Sequence, residues 1–304
     1  MQLSYRSLFT DANNIEYSVV KTHGANCLCL QGDLKSLKRL KKSYLSSVYF
    51  YECAPENTFE ALSVNQDVKN SISTALFAYR DCGFLSDYLK VVSKEQQYAA
   101  GKKLGRALSM IHSRPLLTKH QKKAALRHGT YLEHLALYMT DYPHFENDNF
   151  AIDAISMRYD KLKIYRSVMR YGSLKHDKVL MTRNDEVMLL PSYSYGPGDM
   201  CEDFASLEVE SAGLYPVFCA GVIDGYFKSV VPSAFWMHFA MYSALYALWK
   251  CGQKAFKEPD KFSAMQTNFN RILKDFDRFT RPIPKWYTSD ELREIRSNSL
   301  KLGL

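Results

Sequence analysis

The chain has 304 residues, a formal net charge of +8, and 46% hydrophobic against 24% charged residues. That length allows one large domain or two lobes with a substantial core, and that balance excludes a largely disordered chain. Tyr, Phe and Trp together make 13% of the residues, which reads as core and cleft material.

Basic residues gather at Lys35–Lys42 and Lys119–Arg127. Runs of this kind are expected to form solvated helix faces, with nucleic acid or another polyanion as the alternative partner. Seven Cys is an odd number and no CxxC pair occurs, so the thiols are expected to be small buried hydrophobes in a reducing cytosol. Cys27 and Cys29 fall on one face of a strand. The first residues lack a charged-then-apolar signal pattern. The longest apolar stretch, Ser233 to Trp249, is too short and mixed to span a membrane. A cytoplasmic location without membrane attachment is the expectation.

In chain order, strands are expected at Tyr17–Lys21, Cys27–Leu30, Val48–Tyr51 and Ile72–Tyr79, separated by Asn-Asn, His-Gly and Pro-Glu-Asn turn signals. One helix, Leu34 to Ser47, interrupts them, with Leu34, Leu37, Leu40, Tyr44 and Leu45 near a 3-4 spacing. A helix then starts at Ser93, with Ser93 and Gln96 forming a capping box. Tyr98, Gly101, Leu104, Leu108 and Ile111 mark its inner face. Further helices are expected over 118–139 and 149–169. A strand–turn–strand follows at Lys178–Met181 and Val187–Leu190. Helices at 201–212, 215–227, 233–250 and 261–279 lead to a Pro-rich strap, Arg281 to Tyr287. Trp236, Trp249 and the Tyr/Phe stripe at 226–249 have helical spacing and belong to a core. The layout is α+β: a β-rich lobe at 1–80 and a helical lobe at 81–304 carrying a β-hairpin at about 178–190.

Several segments in order carry a more specific likeness. Ser93 to Ser113 resembles the first C-lobe helix of the aminoglycoside-phosphotransferase and choline-kinase-like family. Gly196-Pro-Gly-Asp-Met-Cys-Glu-Asp-Phe resembles that family's Gly-Asp-Pro-x-x-Asp/Glu-Phe segment. Ala220-Gly-Val-Ile-Asp-Gly-Tyr-Phe and Pro282-Ile-Pro-Lys-Trp-Tyr are similar to family members too. The match covers about residues 70 to 287. It implies a two-lobed, protein-kinase-like fold, ATP and Mg²⁺ as cofactors of active members, and a structural role for His112 against the catalytic loop.

Such a kinase needs a loop Asp for the substrate hydroxyl, an Asn and a hairpin-end Asp for Mg²⁺, and a Lys–Glu pair for the nucleotide. Aligned on Gly172 and the strand Val179–Met181, the loop Asp position is Ser173 and the Asn position is Lys178. Counting back from Asp199 puts the metal-binding Asp position at Pro191. A Lys beside Mg²⁺ would repel it. The strand expected to bear the nucleotide Lys reads Cys27-Leu-Cys-Leu-Gln. The helix expected to supply its Glu has basic residues and no acid, and Gly24 stands without a Gly-rich loop.

The resulting expectation is a pseudokinase, with no cofactor, acting as a binding or scaffold partner of an active paralogue or a cluster enzyme. The alternative is a divergent ATP- and Mg²⁺-dependent small-molecule phosphotransferase using Asp177 beside His176. Asp199, Glu202 and Asp203 form an acidic cluster at a helix start, where the helix N-terminus favours carboxylates. Asp199, Glu202 and Glu208 are the candidate binding residues for a small cationic ligand. No His, Cys or carboxylate grouping has metal-ligand spacing. Ser173 lacks a nucleophile elbow.

Overall fold

β-branched and aromatic residues alternating with polar ones give the N-terminal region its strands. The computed structural model describes residues 5–22, 24–158, 165–228 and 230–303. Contacts divide the chain into two units, 1–88 with 177–195 and 89–176 with 196–304.

The first unit holds a five-stranded antiparallel sheet of β1 (Tyr5–Thr10), β2 (Glu16–Thr22), β3 (Ala25–Asp33), β4 (Ala61–Asp67) and β5 (Ile72–Ala78), ordered β1-β2-β3-β5-β4. Central β3 is buried on both faces: Cys27, Leu28, Cys29 and Leu30 are each at most 5% exposed. Helix α1 (Leu37–Cys53) bridges β3 and β4, after a 3₁₀ turn capped by Asp33, which accepts the Ser36 N–H at 2.9 Å. The strand expected at Val48–Tyr51 is instead the end of α1. Leu40, Ser43, Ser47 and Phe50 recur at 3-4-3 spacing and are all buried, so the tertiary contact overrides the local β preference. Lys35, Lys38, Arg39, Lys41 and Lys42 are exposed.

The hairpin of β8 (Val179–Thr182) and β9 (Val187–Leu189) pairs with β6 (Cys82–Phe84) in a second sheet. From the sequence, this hairpin is expected in the helical lobe at 81–304. Its contacts group it with the sheet unit.

Beyond the short helix α2 (Leu85–Val91), α3 (Lys94–Ser113) of the second unit begins at the expected capping box, Ser93 Oγ accepting the Gln96 N–H and Gln96 Oε1 the Ser93 N–H. It crosses α7 (Pro216–Phe227) at its closest through glycines. A Cβ on Gly101, Gly105, Gly221 or Gly225 would strike a backbone carbonyl oxygen of the opposing helix. The helices α4 (Thr118–Thr140), α8 (Ser233–Tyr246) and α10 (Phe262–Asp275) match the expected spans closely. The helix expected over 149–169 is α5 (Asn149–Ser156) followed by strand β7 (Ser167–Arg170), while 159–164 lie outside the described residues. β7 pairs antiparallel with β10 (Gly196–Asp199), Ser167 opposite Asp199, a partner that no local signal reveals. After α6 (Cys201–Leu207) and after α8 the helices continue as π-helical turns at Glu208–Ala212 and Ala247–Cys251, the second leading into α9 (Gly252–Lys257). The strap ends in α11 (Asp290–Lys301), which the sequence reading did not include. Trp286 and Tyr287 pack on a cluster of Tyr98, Val217, Ala220, Leu292 and Ile295.

The seven cysteines form no disulfide, and five of them are buried. No helix among the described residues is long and apolar enough to cross a membrane.

Candidate functional site

The loop leaving β7 is fixed from beneath by one carboxylate. Asp203, in the first turn of α6, accepts the N–H of Tyr171 and the N–H of Gly172, each at 2.8 Å. His112, near the end of α3, lies 3.2 Å from Asp203 through Nε2 and 3.2 Å from the Tyr226 hydroxyl through Nδ1. His112 therefore meets the loop through Asp203, in line with its expected structural role. The clamp holds Gly172 and Ser173 in left-handed backbone, φ +75° and +56°. That conformation is free for Gly and strained for Ser. Further along, the His176 N–H and Nδ1 lie 3.1 and 3.0 Å from Ser211 Oγ, and its ring meets Tyr215 edge-on.

The acidic cluster is an internal network. Glu202 is 1% exposed and accepts from Arg127 Nη2 at 2.7 Å, Tyr131 at 2.5 Å, Tyr246 at 3.0 Å and the Asp199 N–H at 3.1 Å. Arg170 Nη1 adds an ion pair at 3.2 Å. Burial alone would raise the Glu202 pKa, but Arg170 and Arg127 hold it below the usual carboxylate range. Asp199 accepts backbone N–H groups from Tyr165, Arg166 and Cys201. Burial pushes its carboxyl up to about 6, against the backbone N–H groups of Cys201 and Tyr165 that favour the anion. Glu208 accepts from Arg271 Nη1 at 2.7 Å and the Trp286 indole at 3.0 Å, and burial raises its carboxyl.

Asp199 and Glu202 thus lie in direct contact, whereas Glu208, at the start of the π-helical turn after α6, belongs to a separate pair. All three are fully buried with partners from the same unit, so a cationic ligand would have to displace those partners. No local sequence signal marks Arg127, Tyr131, Arg170 or Tyr246 as partners of Glu202. Arg127 sits 75 residues from Glu202, and only folding joins them. It leaves the basic face expected for Lys119–Arg127 and turns inward.

In the sheet unit, Ile15, Tyr17, Leu28, Leu30, Phe77, Leu180, Met188 and Leu190 belong to one buried core that joins the five-stranded sheet to the hairpin. The Phe9 and Tyr17 rings stack at 4.3 Å, and Lys178 Nζ stands 5.0 and 5.3 Å from their centroids. Pro191 is buried beside Ser192, whose N–H is held by Ser46 Oγ at 2.9 Å. Tyr193 ties down the β1–β2 turn: its hydroxyl donates to Asp11 at 3.0 Å and accepts from Asn13 at 2.7 Å. Asp177 lies in the 3₁₀ turn His176–Lys178 leading into β8. Among the described residues no three His, Cys, Asp or Glu side chains are grouped to hold a metal ion.

Solved structures superpose on most of this chain. A GDP and kanamycin complex of APH(2″)-IIIa superposes with a TM-score of 0.66 over 90% of this chain and 94% of that one, at 12% identity. The fold is protein-kinase-like. A choline/ethanolamine kinase family protein from Mesorhizobium loti gives 0.59 over 95% and 93% at 11% identity. A macrolide 2′-phosphotransferase type I gives 0.59 over 88% and 91%, also at 11%. No protein-family profile and no curated protein matches the sequence. The kinase-like α+β fold and its likeness to aminoglycoside and macrolide phosphotransferases thus agree with the resemblance read from residues 70 to 287. At these identities the likeness carries the fold, and function has to be argued from the site.

Proposed function

We propose that this chain is a kinase-like fold without phosphotransfer activity, a pseudokinase that serves as a binding or scaffold partner of another enzyme. An active paralogue, or an enzyme of the same biosynthetic or resistance cluster, is the kind of partner the reading implies. One observation carries it: in the sheet unit, positions aligned with nucleotide handling are occupied by contacts of the chain with itself.

Lys178, aligned with a magnesium-binding Asn, stands over the Phe9 and Tyr17 rings. A phosphate-covering loop needs backbone freedom, usually from glycine. The β1–β2 turn, Asp11-Ala-Asn-Asn, has no glycine and is fastened by Tyr193. Between sheet and hairpin the side chains are close-packed, with Tyr17 1% and Leu28, Leu30 and Met188 0% exposed. Inserting a nucleotide base would mean opening a core at native density. Beyond this packing, Ser173 and Pro191 supply neither the carboxylate nor the metal ligand that phosphoryl transfer requires.

The test is calorimetric titration of the full chain with ATP and GTP, with and without Mg²⁺. The expected result is no binding at millimolar nucleotide. Magnesium-dependent binding at micromolar concentration would overturn the reading. Loss of any accompanying hydrolysis in Asp177→Ala would then favour a divergent phosphotransferase.

A further inference from the structure

The two π-helical turns, at 208–212 and 247–251, border the same cavity of about 510 Å³, with α10 as its third wall. Such turns are rare and recur at functional sites. Each inserts one residue, and here Glu210 and Lys250 line the cavity. The first turn is supported from α10: Asn268 Nδ2 donates to the Val209 carbonyl at 2.9 Å and Arg271 Nη2 to the Glu208 carbonyl at 2.9 Å.

Arg271 is neutralised by Glu208 and Asp275 and offers the cavity no free charge. Glu210, Lys250 and Lys254 differ: none makes a hydrogen bond or salt bridge among the described residues, and the Glu210 carboxylate acts on Lys250 only through its field. Lys250 is half-buried and stands 4.6 Å from the centre of its neighbour Trp249. Burial, ahead of any charge, pulls its pKa down. A half-buried ammonium without an acceptor is costly, and an anion bound beside it would remove that cost. Leu214, 69% exposed, and Met265 give the cavity its apolar side. The volume is that of a small-molecule site, apolar walls around a few convergent polar groups.

We propose that this cavity binds a small zwitterion, with its anionic group on Lys250 and Lys254, its amine on Glu210, and its body against Leu214 and Met265. This differs in charge from the cationic ligand considered for Asp199, Glu202 and Glu208. It is independent of whether the sheet unit accepts a nucleotide.

Calorimetric titration of the full chain tests it with two zwitterions, glucosamine 6-phosphate and L-phenylalanine, which distinguish a phosphate from a carboxylate anion. Glucose 6-phosphate and glucosamine are the single-charge controls. At least one zwitterion binds saturably and more tightly than either control. Lys250→Met weakens it about tenfold or more, the loss of one charge-assisted contact. Lys254→Met, on the exposed side of α9, weakens it in the same direction, so the outcome does not hang on the fold of one variant. Glu210→Gln weakens the zwitterion while glucose 6-phosphate, relieved of a neighbouring negative charge at Lys250, binds as well or better. Failure of both zwitterions to bind at millimolar concentration overturns the proposal. So does binding that both lysine substitutions leave intact.

Discussion

Replacing Glu202 by Gln leaves shape almost unchanged and removes one buried negative charge. Buried Arg170 and part-exposed Arg127, 3.2 and 2.7 Å from that carboxylate, then lose their nearest counter-ion. Removing one member of a buried ion pair costs about 3–5 kcal/mol, because the remaining charge stays desolvated. A domain is stabilised by about 5–15 kcal/mol in all, so the loss would take a large part of it. Trp236, Trp249 and Trp286 all belong to the helical unit, so tryptophan fluorescence during guanidinium unfolding reads that unit alone.

The pH dependence sharpens the test. The Glu202 pKa is lowered on folding, so its contribution is present above the ordinary carboxylate range and is lost as pH falls through the folded value. The deficit of Glu202→Gln is therefore largest near neutral pH and shrinks in acid. Asp199 runs the other way. With its pKa raised from 3.8 to about 6, it lowers stability as pH rises through that window, by roughly 3 kcal/mol. The Glu202 charge is one cause of that rise, so Asp199 titrates lower in Glu202→Gln, readable by carboxyl ¹³C NMR. A deficit under about 1 kcal/mol at neutral pH would refute a role for Glu202 in balancing the buried Arg170 and the part-exposed Arg127.

Two further outcomes follow from the same unit. Gly221→Ala drives a methyl group into the Tyr98 carbonyl at the α3–α7 crossing, where backbone rather than a flexible side chain is in the way. It is expected to destabilise the helical unit by about 3 kcal/mol or more, measured by the same fluorescence unfolding, while Gly129→Ala, with open space around it, is neutral or stabilising. His134 stacks on Trp249 at 3.6 Å with an 8° interplanar angle, and burial, then Arg127, lower its pKa from 6.5 to about 4. A depressed base disfavours its proton in the folded state, so its share of stability is present above pH 6.5 and lost as pH falls toward 4. Trp249 emission is expected to change with a midpoint near pH 4, and His134→Phe abolishes that titration. A midpoint near 6.5 would refute the buried assignment.

Local chemistry made much of the fold legible. The Ser93–Gln96 capping box, the 3-4 spacing of Tyr98 to Ile111 and the paired strands around the turn after Thr182 all depend on residues a few positions apart. The same locality explains the misreadings. Val48–Tyr51 has the composition of a strand, but the sheet-facing row of Leu40, Ser43, Ser47 and Phe50 keeps it helical. Ser167–Arg170 becomes a strand because Gly196–Asp199 lies beside it.

The sequence by itself determined the order of elements and the residue types at positions 173, 178 and 191, since identities and short-range periodicity need no fold to be read. Only the tertiary structure decided what surrounds the charged groups. Arg127 and Arg170 meet Glu202, Arg271 meets Glu208, and Lys178 faces the Phe9 and Tyr17 rings across more than a hundred residues of chain. A carboxylate's protonation and availability depend on desolvation and on the charges a few ångströms away, and those are fixed by packing between segments far apart in the chain.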